Sequence, residues 1–287
     1  MLQVARLAPA ALGEARDLVP AFLRRCQNPD GGFQDRGGAS DLYYTVFGLE
    51  GLIAFREDPP ETTRGYLEAF GGGASLDFVH LCCLARAWAS VLPGGAPPET
   101  AAAIHARLET FRAPDGGYLL SHDSDESTVY AAFLAIGATQ DLREAIVDAE
   151  GLLRSVAACR AADGGYSNQR EADLGMTPTT AGAVAIMRQL GVEPDPGVGD
   201  WLLARCHTDG GFVVAPGIPL PDLLSTATAL HALAALHVPF GAVREPCLDY
   251  LDTLWTNAGG FHGSWPDEIL DCEYTYYGLL ALGHLSL

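Results

Sequence analysis

The sequence predicts an all-α protein in which residues 1–287 form one domain, a closed ring of six helix pairs. A short Gly-Gly motif returns at intervals of roughly 40 to 50 residues, a period typical of helix-pair arrays. An amphipathic helical segment precedes each motif, and a mostly apolar one follows it. The copies are Asp30–Phe33, Gly71–Gly73, Asp115–Tyr118, Asp163–Tyr166, Asp209–Phe212 and Ala258–Phe261.

The helices follow from apolar spacing and from Pro and Gly as helix breakers. Because the second helix of each pair is apolar almost all round, we expect it to face the centre, with the first helix facing water. The last helix stays apolar to its end, which favours closure of the ring over an open array with polar ends. The predicted pairs are 10–26 with 42–55, 61–70 with 77–91, 98–112 with 124–138, 140–160 with 177–191, 196–207 with 222–237, and 243–257 with 271–286.

Composition limits the partners. The chain has 17 basic and 36 acidic residues, and a net charge of −19 opposes nucleic acid and anionic membrane surfaces. No apolar run reaches the roughly 18 to 20 residues of a membrane span, and the first residues do not resemble a signal peptide. We therefore expect a cytoplasmic protein. The seven cysteines show no disulfide or zinc-knuckle spacing, and no cofactor fingerprint appears.

Two stretches resemble a known repeat. Residues 26–33, Cys-Gln-Asn-Pro-Asp-Gly-Gly-Phe, are followed by Asp41-Leu42-Tyr43-Tyr44-Thr45. This pattern resembles the repeat of protein prenyltransferase β subunits, and is similar to that of squalene–hopene and other class II terpene cyclases. The resemblance covers about residues 15–287 and implies an α/α toroid whose central cavity holds an isoprenoid.

The resemblance does not extend to prenyltransferase chemistry. In that family an Asp, a Cys two residues later and a His bind zinc, and the matching positions here are Asp222, Leu224 and Tyr274. The Arg and Lys that hold the substrate diphosphate are replaced by Pro216 and Pro219. Zinc-dependent prenylation of a protein is therefore not expected.

The resemblance to class II cyclases does extend to a candidate catalytic acid. Class II cyclases protonate an alkene or epoxide with the middle Asp of a DxDD motif, and residues 123–126 read Asp-Ser-Asp-Glu. By this resemblance Asp125 would be the general acid, with Asp123 and Glu126 raising its pKa by like-charge repulsion. The alternative is a capping cluster at a helix N-terminus. These cyclases usually have a second helical domain, for which this chain has no room.

Aromatic side chains on the inner helices could stabilise a cation, or could simply be core. A metal is not expected, although an Asp/Asp/His group across neighbouring helix starts is conceivable. The aromatic substrate-binding candidates are Tyr43, Tyr44, Phe47, Trp88, Tyr130, Phe133, Tyr274 and Tyr277. The weak metal candidates are Asp41, Asp77, His80 and Asp222.

Three functions remain open at this stage. The first is proton-initiated cyclisation or isomerisation of a prenyl chain in a central apolar cavity, without a cofactor. The second is a non-catalytic isoprenoid-binding or partner subunit, and the third is a prenyltransferase with altered metal ligands. Because a single toroid leaves the cavity open, a homodimer or partner subunit would cover its mouth.

Overall fold

The computed structural model describes all of residues 1–287 as a ring of two concentric helical layers. The chain begins with α1 (Leu2–Ala5), α2 (Ala8–Ala11) and a 3-10 turn at Gly13–Asp17. Six pairs follow, each an outer helix and then an inner one. They are α3 (Leu18–Arg25) with α4 (Leu42–Ala54), α5 (Glu61–Glu68) with α6 (Phe78–Val91), α7 (Pro98–Glu109) with α8 (Val129–Asp141), α9 (Ala149–Ala158) with α10 (Thr177–Gln189), α11 (Gly197–Leu203) with α12 (Leu223–Ala235), and α13 (Gly241–Leu254) with α14 (Cys272–Leu285).

The ring is closed, as the sequence predicts. Each inner helix packs against the next, and α14 packs against α4, so the last repeat joins the first. α1 also packs against α4 and α14. One cluster of buried apolar side chains runs through both layers. No helix is long and apolar enough to span a membrane.

The repeated Gly-Gly motif is a structural device. In the fifth copy Gly210 has a φ of +85°, and a Cβ there would lie 1.8 Å from the carbonyl oxygen of Pro246 on the next outer helix. The aromatic residue of the motif is held by the following inner helix, since the Phe212 N–H donates to Thr226 Oγ1 at 2.9 Å. The same bond joins Phe33 to Thr45 and Tyr166 to Thr180. In these copies the motif therefore fixes the outer helix to its inner partner.

Three predicted helix boundaries are wrong. Segment 10–26 is not one helix, because Gly13 takes a left-handed φ of +54° and the chain makes a 3-10 turn before α3. The helix predicted over 124–138 begins only at Val129, because serine side chains bond the backbone of the preceding segment. The helix predicted over 140–160 shortens to α9, capped by Asp148. A two-residue hairpin, β1 (Phe33–Gln34) with β2 (Ser40–Asp41), was not predicted.

Candidate functional site

The six inner helices run in the same direction, so their first residues gather at one end of the ring, which we call the mouth. There His80 Nε2 lies 2.9 Å from Asp41 Oδ2, which links the starts of α4 and α6. At the opposite end, which we call the floor, Arg86 bridges Glu50 at 2.9 Å and Asp141 at 2.5 Å. These bonds join the C-terminal halves of α4, α6 and α8.

Most of the carboxylates that open the inner helices are helix caps. Asp41 accepts hydrogen bonds from the backbone N–H groups of Tyr43 and Tyr44, and Asp77 accepts from that of His80. The equivalent bonds occur at α12 and α14. Asp222 accepts from the Ser225 N–H at 2.7 Å, and Asp271 accepts from the Tyr274 N–H at 2.8 Å. These four aspartates therefore satisfy helix N–H groups that would otherwise lack partners.

Glu273 differs from the capping aspartates. It lies in the first turn of α14, and its Oε1 accepts a hydrogen bond from the Tyr43 hydroxyl at 2.6 Å. Burial raises the pKa of Glu273 to about 7, the bond from Tyr43 lowers it, and the neighbouring charge of Asp271 raises it. Glu273 is thus a carboxyl group that holds a proton in a large fraction of molecules near neutral pH.

The rings around Glu273 come from both sides of the central axis. Tyr43 touches Phe47 with ring centroids 4.9 Å apart, and Phe47 touches Tyr277 at 5.4 Å. Tyr130 starts α8, which is not a neighbour of α4 or α14 in the ring. Even so, burial raises the pKa of Tyr130, and Glu273 is close enough to raise it further. We call these five residues, Glu273, Tyr43, Phe47, Tyr130 and Tyr277, the Glu273 cluster.

A stripe of half-buried residues runs along α8 from the cluster. On α8 the side chains of Tyr130, Phe133 and Leu134 are half-buried, as is Gly137, whereas the residues between them are buried. This i, i+3, i+4, i+7 stripe follows one helix face. The neighbouring helices cover the other faces, so the stripe points towards the axis.

Two measured depressions lie outside the ring. The larger, of about 550 Å³, is a shallow groove between α7 and the turn before α6. The smaller, of about 160 Å³, lies between the N-terminal segment and α13. Neither contains a residue of the Glu273 cluster.

Arg36 secures the closing junction of the ring at the mouth. It reaches from the β1–β2 turn to Asp271 at 2.8 Å and Asp267 at 2.7 Å. Its guanidinium also stands 5.3 Å from the centroid of the Tyr274 ring. Arg36 thus holds Asp267 and Asp271 in place, at the two ends of the segment that leads to Glu273.

The acidic segment 123–126 is placed differently from what its predicted role needs. Asp123, Asp125 and Glu126 are all exposed, in the loop that precedes α8. The side-chain cap of α8 is Thr128, so these carboxyls are not the cap of that helix either. A general acid at pH 7 needs burial or close like charges to keep its proton. The structure gives that burial to Glu273 and not to this segment.

The weak metal candidates are only partly brought together. His80 lies between Asp41 and Asp77, with Nδ1 at 2.8 Å from Asp77 Oδ1. Burial lowers the pKa of His80, but the bonds to the two aspartates outweigh it and raise the pKa overall. Both ring nitrogens of His80 are therefore already in contact with carboxylate oxygens. Asp222 lies apart and bonds both the N–H and the hydroxyl of Ser225.

A prenyltransferase zinc site does not fit these residues. Leu224 and Tyr274 occupy two of the three ligand positions, and neither side chain is a zinc ligand of such sites. Cys272 is fully buried and bonds Cys26, which directs its thiol towards the outer layer. We therefore assign no zinc to this site.

The aromatic candidates divide into two sets. Tyr274 lies 6.4 Å from Tyr277, centroid to centroid, and Tyr44 lies 5.6 Å from Tyr43, so both border the Glu273 cluster. Phe133 lies one turn after Tyr130 on the half-buried stripe of α8. Trp88 is 1 % exposed and belongs to the core.

Glu273 and Arg36 were not singled out from the sequence. Glu273 follows Asp271 and Cys272 and stands directly before Tyr274, the position that matches the zinc-binding His of the prenyltransferases. The available signal was a single carboxyl in the first turn of a helix otherwise made of aromatic, apolar and small residues. Arg36 gives no such signal, because its partners lie more than 230 residues away.

The chain belongs to the prenyltransferase α/α-toroid domain family. The model of that family matches residues 12–80, 69–213 and 193–286. No curated protein sequence matches the chain.

Solved structures with the same fold include a cyclase and a transferase. A variant of the type II terpene cyclase MstE from Scytonema, in complex with its substrate geranylgeranyl dihydroxybenzoate, superposes with a TM-score of 0.66, 14% identity and 97% of each chain covered. Another variant of that cyclase, bound to the product merosterolic acid A, gives 0.63 at 14% identity, again with 97% of each chain covered. The Candida albicans protein geranylgeranyltransferase-I complexed with GGPP gives 0.53 at 12%, covering 94% of this chain and 90% of that chain.

Proposed function

We propose that the protein is an isoprenoid-processing enzyme that cyclises or isomerises a prenyl chain by protonating one of its alkenes. The observation that carries this proposal is Glu273, a half-buried carboxyl whose pKa is raised to about 7 by desolvation, among aromatic rings at the centre of the toroid. Glu273 takes the role that the sequence suggested for Asp125, since Asp125 is exposed and has no comparable surroundings.

The chemical step uses the proton that Glu273 holds. The O–H bond of the carboxylic acid breaks as the π electrons of the alkene form a new C–H bond, leaving a tertiary carbocation and a carboxylate. In cyclisation an internal alkene then attacks the cation, closes a ring and moves the positive charge to one of its own carbons. In both cyclisation and isomerisation a C–H bond next to the cationic carbon finally breaks: its electron pair forms the new double bond, and its proton leaves to water. Return of a proton to Glu273 restores the acid, and the product has the same formula as the substrate.

The surrounding side chains suit this step. The faces of Tyr43, Phe47, Tyr130 and Tyr277 can stabilise positive charge by cation–π attraction, which is stronger where water is excluded. Tyr43 also donates its hydroxyl to Glu273, so it orients the acid and stabilises the carboxylate left after proton transfer. The partly exposed stripe on α8 gives an apolar chain a surface along which to lie.

The comparisons support an isoprenoid as the substrate. The cyclase and the transferase with this fold are bound to geranylgeranyl compounds, and one of them is named a type II terpene cyclase. At 12–14% identity they are evidence for the fold alone, so the case for chemistry rests on Glu273 and its neighbours. A prenyltransferase with altered metal ligands is disfavoured by the residues at the zinc positions.

The test is turnover in heavy water. The purified protein is incubated in D₂O with geranylgeraniol and with other prenyl compounds, and products are analysed by gas chromatography and mass spectrometry. We expect an isomeric product that carries one deuterium bound to carbon, formed by the wild type and not by Glu273→Gln. Recovery of bound but unchanged prenyl compound from both proteins would instead indicate the non-catalytic binding subunit.

A further inference from the structure

The mouth of the ring carries a large excess of negative charge. The segments that join the outer helices to the inner ones contain sixteen carboxylates and five arginines, and the chain has no lysine. Each of those arginines already has an acidic partner: Arg36 contacts Asp267 and Asp271, Arg112 contacts Glu109, Arg160 contacts Asp195, Arg170 contacts Asp115, and Arg205 lies 4.0 Å from Asp163.

The helix N-termini at the mouth are also occupied. A helix N-terminus is a natural phosphate site, because its free N–H groups and its dipole both favour an anion. Six inner helices end at this mouth, yet four of them are capped by the chain's own aspartates. At α8 the Thr128 hydroxyl accepts the Ala131 N–H, and Asn168 accepts the Tyr130 N–H. At α10 the second residue is Pro178, which has no N–H.

The histidine at the mouth does not change this balance. His80 contacts Asp41 and Asp77 with its two ring nitrogens, so its positive charge is already matched by two negative ones. A phosphate ester placed here would meet carboxylates with no free cation to offset them, which costs free energy at low ionic strength. A hydroxyl or an ammonium group could instead donate hydrogen bonds to these negatively charged carboxylates.

We propose that the substrate of this site is an isoprenoid whose head group carries no phosphate and is either neutral or cationic. The inference rests on the proposed function, since it concerns the head group of the prenyl chain that Glu273 would protonate. The prenyl chain of the substrate enters the ring past Tyr44 and Tyr274, whose half-buried rings border the Glu273 cluster. Its head group stays among the carboxylates of the mouth.

The test compares three ligands of equal chain length: geranylgeraniol, geranylgeranylamine and geranylgeranyl diphosphate. Dissociation constants are measured by isothermal titration calorimetry at about pH 8 and low salt, with a chelator present. We expect the diphosphate to bind at least about tenfold more weakly than the alcohol, and the amine to bind at least as tightly. Raising NaCl to about 0.5 M should screen the charges and so reduce the difference in affinity between the diphosphate and the alcohol.

A matched variant isolates the role of charge. Asp123→Asn, Asp125→Asn and Glu126→Gln together remove three exposed charges near the mouth that are not part of the Glu273 cluster. We expect this variant to bind the diphosphate about two- to fivefold more tightly and the alcohol unchanged.

Two results would overturn the inference while sparing the proposed function. One is diphosphate binding as tight as that of the alcohol at low salt, and the other is Mg²⁺ raising the affinity for the diphosphate above that for the alcohol. If none of the three compounds binds, the proposed function fails and the inference fails with it.

Discussion

Two acidic regions lie at the mouth of this ring, and they differ in burial more than in composition. Segment 123–126 has three carboxyls within four residues, all of them exposed. Glu273 stands alone in the first turn of α14, but burial raises its pKa to about 7. The comparison shows that several neighbouring carboxyls in an exposed loop do not by themselves make a proton donor. One carboxyl that is removed from water and bonded to a tyrosine meets the requirement better.

The largest expected effect separates the two regions directly. Glu273→Gln should lower turnover of the prenyl substrate by about 10³-fold, because the amide has no acidic proton to give. Asp125→Asn should change turnover by less than about twofold, as is usual for an exposed substitution. Single-turnover assays with both variants decide between the regions, and the reverse pattern would return the acid to Asp125.

The second effect is the pH dependence of turnover. Because only protonated Glu273 can act, activity should fall about tenfold per pH unit above about 7. The profile should flatten below pH 6. A profile that instead falls through pH 4 to 5 would point to a carboxyl with an ordinary pKa, such as an exposed one.

The third effect concerns the bond from Tyr43. Tyr43→Phe removes a hydrogen bond that favours the ionised form of Glu273, so the pKa of Glu273 rises and the basic limb of the pH profile moves upward. We expect turnover at about pH 8, relative to that at pH 6, to increase about three- to tenfold. Tyr44→Phe is the control, since its hydroxyl has no bond to Glu273, and an equal change in both variants would argue against the specific bond.

A smaller effect should appear in stability. The raised pKa means that folded Glu273 binds a proton that the unfolded chain has already lost between about pH 4.5 and 7. Stability should therefore fall as pH rises through that window, by about 3 kcal/mol or about 6 °C in Tm. Glu273→Gln should remove this loss in calorimetry. An unchanged pH dependence in the variant would mean that Glu273 is not the titrating group.

The smallest effect comes from His80, which links two repeats at the mouth. Its pKa is raised, so its pairing with Asp41 and Asp77 is fully present below about pH 6.5 and is lost as pH rises through the folded value. His80→Gln should cost about 1 kcal/mol at pH 6 and less at pH 9. Chemical denaturation at the two pH values measures the difference, and a greater loss at pH 9 would contradict this account.

The ring itself was predictable from sequence because its determinants are local and repeated. The Gly-Gly turn, the aromatic residue after it and the threonine of the next helix recur, so the six pairs could be counted and the closure expected. The exceptions are boundaries set by single residues, such as Gly13 and the serines before α8.

The site was only half predictable, because it depends on contacts between distant repeats. The tyrosines at residues 43, 274 and 277 were found as aromatic candidates. Their convergence on Glu273 joins the first repeat to the last and needs the ring to be closed. The sequence points to Asp125 as the acid because residues 123–126 resemble a family motif. Burial decides where a carboxyl keeps its proton, and a four-residue pattern does not reveal burial.

The most direct test of the central claim needs no substrate. Infrared difference spectroscopy of the purified protein, titrated from about pH 5 to 9, follows the C=O stretch of protonated carboxyl groups. We predict one band that disappears with a midpoint near 7, is absent in Glu273→Gln, and is unchanged when Asp123, Asp125 and Glu126 are all replaced by their amides. A band that persists in Glu273→Gln, or that is lost only in the triple variant, would contradict the account.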